Sequence, residues 1–194
     1  MKKITSISSI ADNYDYFLFD QWGVLHNGLN VFEDAKNCLI KLKQKRKKII
    51  LISNSSKLTK YTKLNLKKLG IDDNLYDHSI TSGQIAFDSF QNEIFNQYGE
   101  KCFPMSLSLE KIKMFKLKTV KSIKNANFVL IADIKPNSNL FDFTENLKIM
   151  MDLKIPLVCT NPDFQVDNMG SLEMCGGTIA QLYEDMGGTV HRYG

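Results

Sequence analysis

The arrangement of apolar runs constrains this chain most. Tyr16 to Phe19, Ile49 to Ile52, Phe128 to Ile131 and Leu157 to Cys159 are short runs of β-forming residues, separated by segments in which apolar residues recur at helical spacing. Alternation of this kind predicts parallel strands covered by helices, an α/β fold. In the first unit, Tyr16 to Phe19 reads as a buried strand, Ala35, Cys38, Leu39 and Leu42 mark a helix, and Ile49 to Ile52 reads as a second buried strand. Together they make one βαβ crossover. A helix from Lys57 to Leu69 stopped by Gly70, a strand from Ser79 to Thr81 and a helix carrying Ala86, Phe90 and Ile94 follow, with Gly99 as the stop. A second α/β unit is expected beyond it, its helix carrying Phe143, Leu147, Met150 and Met151. A last helix from about Thr178 to Met186 ends at Gly187 and Gly188.

Composition removes several functional classes. The chain has 194 residues, 43% of them hydrophobic, and a formal net charge of +4. Much of that surplus lies in Lys41, Lys43, Lys45, Arg46, Lys47 and Lys48, a local block with no interleaved aromatic residue to stack bases; it reads as a solvated helix end rather than a nucleic-acid surface. The four cysteines form no CxxC pair and have no His at zinc-ligand spacing. No apolar run reaches membrane-spanning length and the N-terminus lacks a signal-type apolar region, so a cytoplasmic, reduced protein without nucleic-acid or membrane partners is expected.

Chemistry concentrates at strand ends. In Phe17-Leu18-Phe19-Asp20-Gln21-Trp22-Gly23-Val24-Leu25 a carboxylate closes an apolar strand, which puts Asp20 at the carboxyl edge of the sheet, where open α/β folds bind ligands. A carboxylate there can attack phosphorus, hold a cation, or simply cap a turn. Gly23 allows the backbone to approach an anion. The next strand ends in Ser53-Asn54-Ser55-Ser56, a set of hydroxyl, amide and backbone donors suited to phosphate oxygens and equally to capping the following helix. Two polar ends on consecutive strands favour a common anion site.

These residues resemble the haloacid dehalogenase superfamily, and within it the NagD-like phosphatases of subfamily IIA, which carry a cap inserted after the second motif. Phe17 to Leu25 is similar to the first motif and Ile50 to Ser56 to the second. Ile80-Thr81-Ser82-Gly83 resembles the approach to the cap, Cys159-Thr160-Asn161-Pro162-Asp163 the Asn-Pro-Asp signature, and Gly176 to Ala180 with Gly187 to Val190 the return to the core. The resemblance implies a Rossmannoid core over residues 1–96, an α/β cap of the C2 type over 97–188, and the start of a return to the core at 189–194. It implies Asp20 as nucleophile, forming an aspartyl-phosphate that water hydrolyses. Mg²⁺ would be held by Asp20 and the Trp22 carbonyl, the phosphate by Trp22, Gly23, Ser53 and Asn54, and the substrate by Asn161 and Asp163. Small phosphate esters such as sugar or nucleotide phosphates are the implied substrates.

Two departures matter. The family usually places an acid-base Asp two residues after the nucleophile, where this chain has Trp22, and follows the return segment with Gly-Lys-Pro, whereas this chain ends at His191-Arg192-Tyr193-Gly194. The expectations that follow are an incomplete core of about three strands, negligible activity for the chain as it stands, and association or homodimerisation through the unpaired sheet edge. A non-catalytic phosphate-binding protein of the same fold is the alternative.

Overall fold

The computed structural model describes residues 4–168 and 170–194, leaving aside the side chains of Leu109 and Asn168. They pack as two compact units, the first formed by the chain up to Ser53 with Thr59–Ile80, the second by Asn54–Leu58 with Thr81–Gly194.

The first unit is built on β1 (Tyr16–Asp20), α1 (Glu33–Gln44), β2 (Lys48–Ser53), α2 (Thr59–Lys68) and β3 (His78–Thr81), with strand order β1-β2-β3. β1 and β2 are parallel, as the crossover predicts, with Phe19 opposite Leu51 and Asp20 opposite Ile52. Glu33 and Asp34 open α1 and Lys41 and Lys43 close it, so both ends complement the helix dipole. Leu39 and Leu42 of α1 and Leu66 of α2 pack on Phe19, Ile49 and Leu51. Only that sheet face is covered. Leu18 is 62% exposed, and Ile52 and Ile80 are also exposed, so β1 and β2 are half-buried, not the fully buried strands their unbroken apolar runs predict. The pleat alternates side chains between faces, and the helices of this unit lie against one of them.

The second unit begins with α3 (Ser82–Ser89), which runs through a π turn at Phe90–Ile94 into α4 (Phe95–Tyr98). One continuous helix was expected, and the wider turn fits a change of spacing, with Phe90 and Phe95 stacked five residues apart. Gly99, at φ +97°, ends the run as expected. Then come β4 (Lys101–Ser106), α5 (Leu109–Phe115), β5 (Lys118–Thr119), β6 (Phe128–Ile131), α6 (Phe141–Leu153), β7 (Leu157–Cys159), a hairpin of β8 (Gln165–Asn168) and β9 (Ser171–Met174), α7 (Gly176–Asp185) and β10 (Val190–Arg192). Its five-stranded sheet has the order β10-β7-β6-β4-β5 and is parallel throughout.

β6 and β7 are buried along their whole length because both faces are covered. Phe143, Leu147 and Met150 of α6 and Ile179, Ala180 and Tyr183 of α7 pack on Val129, Ile131, Leu157 and Cys159. Ala86, Phe90, Ile94 and Phe115 pack on Cys102, Phe128, Leu130 and Val158. All four cysteines are free thiols, and no helix among the described residues is long and apolar enough to cross a membrane.

Candidate active site

In the first unit, Asp20 ends β1 beside Ile52, so Ser53 lies one residue further along the adjacent strand and both polar residues stand at the carboxyl edge. Asp20 is exposed, and its Oδ1 accepts the Gln21 amide at 2.7 Å. The chain then folds back on itself. The buried Gln21 carbonyl accepts amides from Leu25 at 2.8 Å and from Val24 and His26 at 3.3 Å, and Gly23, at φ +76°, donates its amide to the His26 carbonyl at 2.8 Å. Gly23 therefore serves this loop by conformation, and its amide already has an acceptor.

Trp22 is built into the same loop. Its indole lies edge-on to the His26 ring with centroids 5.8 Å apart and covers Gly28, where a Cβ would come within 2.5 Å of the indole. His26 is buried and accepts the Gly28 amide on Nδ1 at 3.0 Å. Burial lowers its pKa from the ordinary histidine value and the nearby Asp20 charge opposes that; the net direction favours the neutral ring. His26 and Gly28 are organising residues that motif reading passed over. Their signal is the polar His26-Asn27-Gly28 that follows Leu25, five residues beyond the end of the apolar strand.

The second unit gathers the remaining candidates. Asn54 Nδ2 donates to Asp163 Oδ1 at 2.7 Å, and the Asp163 amide donates to Asn161 Oδ1 at 3.2 Å. Both loops are laid onto helix starts by glycines. The Gly83 amide donates to the Ser55 carbonyl at 3.0 Å, and a Cβ on Gly83 would overlap the Ser56 carbonyl and stand 2.7 Å from that of Lys57. Thr81 Oγ1 accepts the Gln84 amide, capping α3, and donates to the Lys57 carbonyl at 2.7 Å. Gly177 repeats the arrangement. Its amide donates to the Asp163 carbonyl at 3.1 Å, and a Cβ there would overlap the Pro162 carbonyl and come within 2.6 Å of that of Asp163. Sequence reading took Lys57 and Leu58 into α2, but the helix starts at Thr59 because these two belong to the anchored loop.

No group of three or more His, Cys, Asp or Glu residues among those described forms a metal cluster. The Asp20 carboxylate and the Trp22 carbonyl are hard oxygen donors, right in kind for Mg²⁺, and would supply two of the roughly six positions it requires.

The model of the haloacid dehalogenase-like hydrolases matches residues 17–107, from the start of the Asp20 motif to the end of β4. A haloacid dehalogenase-like hydrolase from Brucella suis is 26% identical with a TM-score of 0.84, the match covering 95% of this chain and 70% of that one. A possible sugar phosphatase of the same superfamily from Cytophaga hutchinsonii is 18% identical with a TM-score of 0.80, covering 99% and 71%. A glycerol phosphate phosphatase from Mycobacterium tuberculosis, solved with calcium, is 18% identical with a TM-score of 0.66, covering 95% and 54%. None of the curated proteins compared with the sequence is a match.

Proposed function

We propose that the chain is a haloacid dehalogenase-like hydrolase, as the family model over residues 17–107 and the Brucella suis hydrolase support, and that it acts as a Mg²⁺-dependent phosphatase of small phosphate monoesters with Asp20 as its nucleophile. The observation that carries this reading is the pairing of two polar strand ends: Asp20 closes β1 and Ser53 closes β2 one residue beyond the Asp20–Ile52 register. Parallel strands end their polar residues on one side, which gives a phosphoryl group an attacking carboxylate and a hydroxyl donor on one edge.

In this mechanism an Asp20 oxygen attacks phosphorus and the bond from phosphorus to the ester oxygen breaks, releasing the alcohol. Water then attacks the aspartyl-phosphate, freeing inorganic phosphate and regenerating the carboxylate. Ser53 and Asn54 hold the phosphoryl oxygens, with the Trp22 and Gly23 segment beside Asp20, and Asn161 and Asp163 meet the organic part of the substrate. Asp20 and the Trp22 carbonyl would hold Mg²⁺, which when bound neutralises charge on the phosphate. Trp22 carries no transferable proton, so the leaving oxygen takes its proton from water, and acidic leaving groups such as nitrophenolate are the favoured esters. We extend the proposal to the domain roles, taking residues 1–96 as core, 97–188 as cap and 189–194 as the start of the return. A cytoplasmic location is supported by the four free thiols, and homodimerisation by the exposed Leu18, Ile52 and Ile80, which share the uncovered face of the first unit's sheet.

The test is hydrolysis of p-nitrophenyl phosphate and a panel of sugar and nucleotide phosphates with and without Mg²⁺, comparing wild type with Asp20→Asn. Turnover that survives Asp20→Asn overturns the nucleophile assignment. Trp22 favours a second reading, phosphate binding without turnover; it gains support if wild type binds inorganic phosphate but hydrolyses none of the esters.

A further inference from the structure

Among the described residues of the second unit, Lys111 is a buried cation that the mechanism above leaves unused. Lys111 lies in the first turn of α5, where its amide donates to the Ser108 hydroxyl that caps the helix, at 3.3 Å. Its side chain is 11% exposed, and its ammonium donates both to Ser56 Oγ and to Asp133 Oδ1. Ser56 is buried and belongs to the loop that begins at Asn54. Asp133 follows β6, its amide held by the Ser106 carbonyl at the end of β4 at 3.2 Å. One ammonium thus ties α5 and the β6 end to the loop that carries Asn54.

We propose that Lys111 is a positioning residue: clamped between Asp133 and Ser56, it fixes loop 54–58 and so sets Asn54 against Asp163. The inference rests on the reading above for the roles of Asn54 and Asp163, but the clamp itself stands on geometry. Backbone anchors hold only part of the loop. Ser55 and Lys57 are tied through their carbonyls, by Gly83 and Thr81, whereas Ser56 sits between them and its side chain is held by Lys111, with Asp133 Oδ1 at 3.5 Å. Removing the ammonium leaves the middle of the loop with its weakest contact and frees the segment whose first residue orients Asp163.

Stability alone does not account for this pair. Burial lowers the Lys111 pKa from the ordinary lysine value, the Asp133 charge and hydrogen bond oppose that, and Lys57 and Glu110 act more weakly in opposite senses. The net direction is down, as expected of a cation taken out of water. Ion pairs of that kind are often replaceable by apolar residues without loss of stability.

The test measures backbone ¹⁵N order parameters and the Asn54 side-chain amide resonances in wild type and Lys111→Met. Thermal midpoints and the KM and kcat for p-nitrophenyl phosphate with Mg²⁺ complete it. The proposal expects order parameters at residues 54–58 to fall from about 0.85 towards 0.6 and the Asn54 amide resonances to lose their hydrogen-bonded shift. The midpoint should hold or rise, and KM should increase more than kcat decreases. Unchanged order in the loop overturns it, and so does a lowered midpoint with loosening throughout the unit, which would make the pair a structural support only. If wild type hydrolyses nothing, the phosphatase reading fails while the order parameters still decide the clamp. Should Lys111→Met not fold, Ser56→Ala removes only the loop side of the clamp and is read by the same criteria.

Discussion

Asn54 and Asp163, 109 positions apart in sequence, meet through a 2.7 Å hydrogen bond from the Asn54 amide to the Asp163 carboxylate. Each stands on a loop that leaves the end of a parallel strand and lies against a glycine in the first turn of a later helix, Gly83 of α3 for one and Gly177 of α7 for the other. The two motifs therefore form one structure.

A hydrogen bond to a charged acceptor in a half-buried setting contributes about 1.5–3 kcal/mol. Asn54→Ala and Asp163→Ala should each lower stability, and the double variant should lower it by less than the sum. A double-mutant cycle in urea is expected to return a coupling of about 1 kcal/mol or more. Strict additivity would mean that the contact is not held in solution.

The glycines predict a contrast. A Cβ at Gly83 or Gly177 meets backbone carbonyl oxygen that cannot swing aside, whereas at Gly23 it meets nothing within 4 Å and only the positive φ opposes it. Gly83→Ala and Gly177→Ala should each cost about 3 kcal/mol or more, and Gly23→Ala about 1–2 kcal/mol. Urea midpoints check the order, and equal losses at all three positions would contradict the close approach of the loops.

What the sequence made legible follows from how local each cause is. Asp20 and Ser53 were readable because a polar residue closing an apolar run is a local signal, and most helices because their packed faces repeat every three or four residues. β4 was not readable. Pro104 interrupts it, and the register with β6 shifts between Pro104 and Ser106, which hides the strand pattern. The hairpin of β8 and β9 lacks an apolar alternation to mark it. Lys111 read as one more charge on an amphipathic helix, since nothing near it in sequence shows that Ser56 and Asp133 close around it. The exposed face of β1 and β2 is not legible in the sequence, because an unbroken apolar run looks the same whether helices cover one face of the sheet or both.

Asp77 gives a pH prediction. Its carboxylate accepts Lys43 Nζ and the Ile49 amide at 2.8 and 2.9 Å and Lys48 Nζ at 3.1 Å, and these partners hold its pKa below the ordinary value of 3.8. A folded pKa below the unfolded one means that the stabilisation is complete above the unfolded value and is lost as pH falls through it towards the folded value. Wild type should therefore lose stability on acidification below about pH 4 more steeply than Asp77→Asn, measured as urea midpoints across that range. Parallel curves would show that Asp77 does not carry the acid sensitivity.

Thr160 gives the last prediction. It is fully buried immediately after β7, with its amide donating to the Ile131 carbonyl at 3.1 Å and its carbonyl accepting the Ser82 hydroxyl at 2.8 Å. Its own hydroxyl has no hydrogen-bond partner. An unpaired buried hydroxyl has given up water without replacement, a cost of about 1–3 kcal/mol, and valine has nearly the same shape without that group. The backbone bonds that tie β7 to β6 and to α3 do not involve the side chain, so they survive the change. Thr160→Val should leave the fold intact, raise the urea midpoint and increase stability by up to about 1 kcal/mol once imperfect packing of the new methyl is allowed for. A drop of more than about 1 kcal/mol would mean that the hydroxyl is satisfied in solution, by a bound water with its own set of partners.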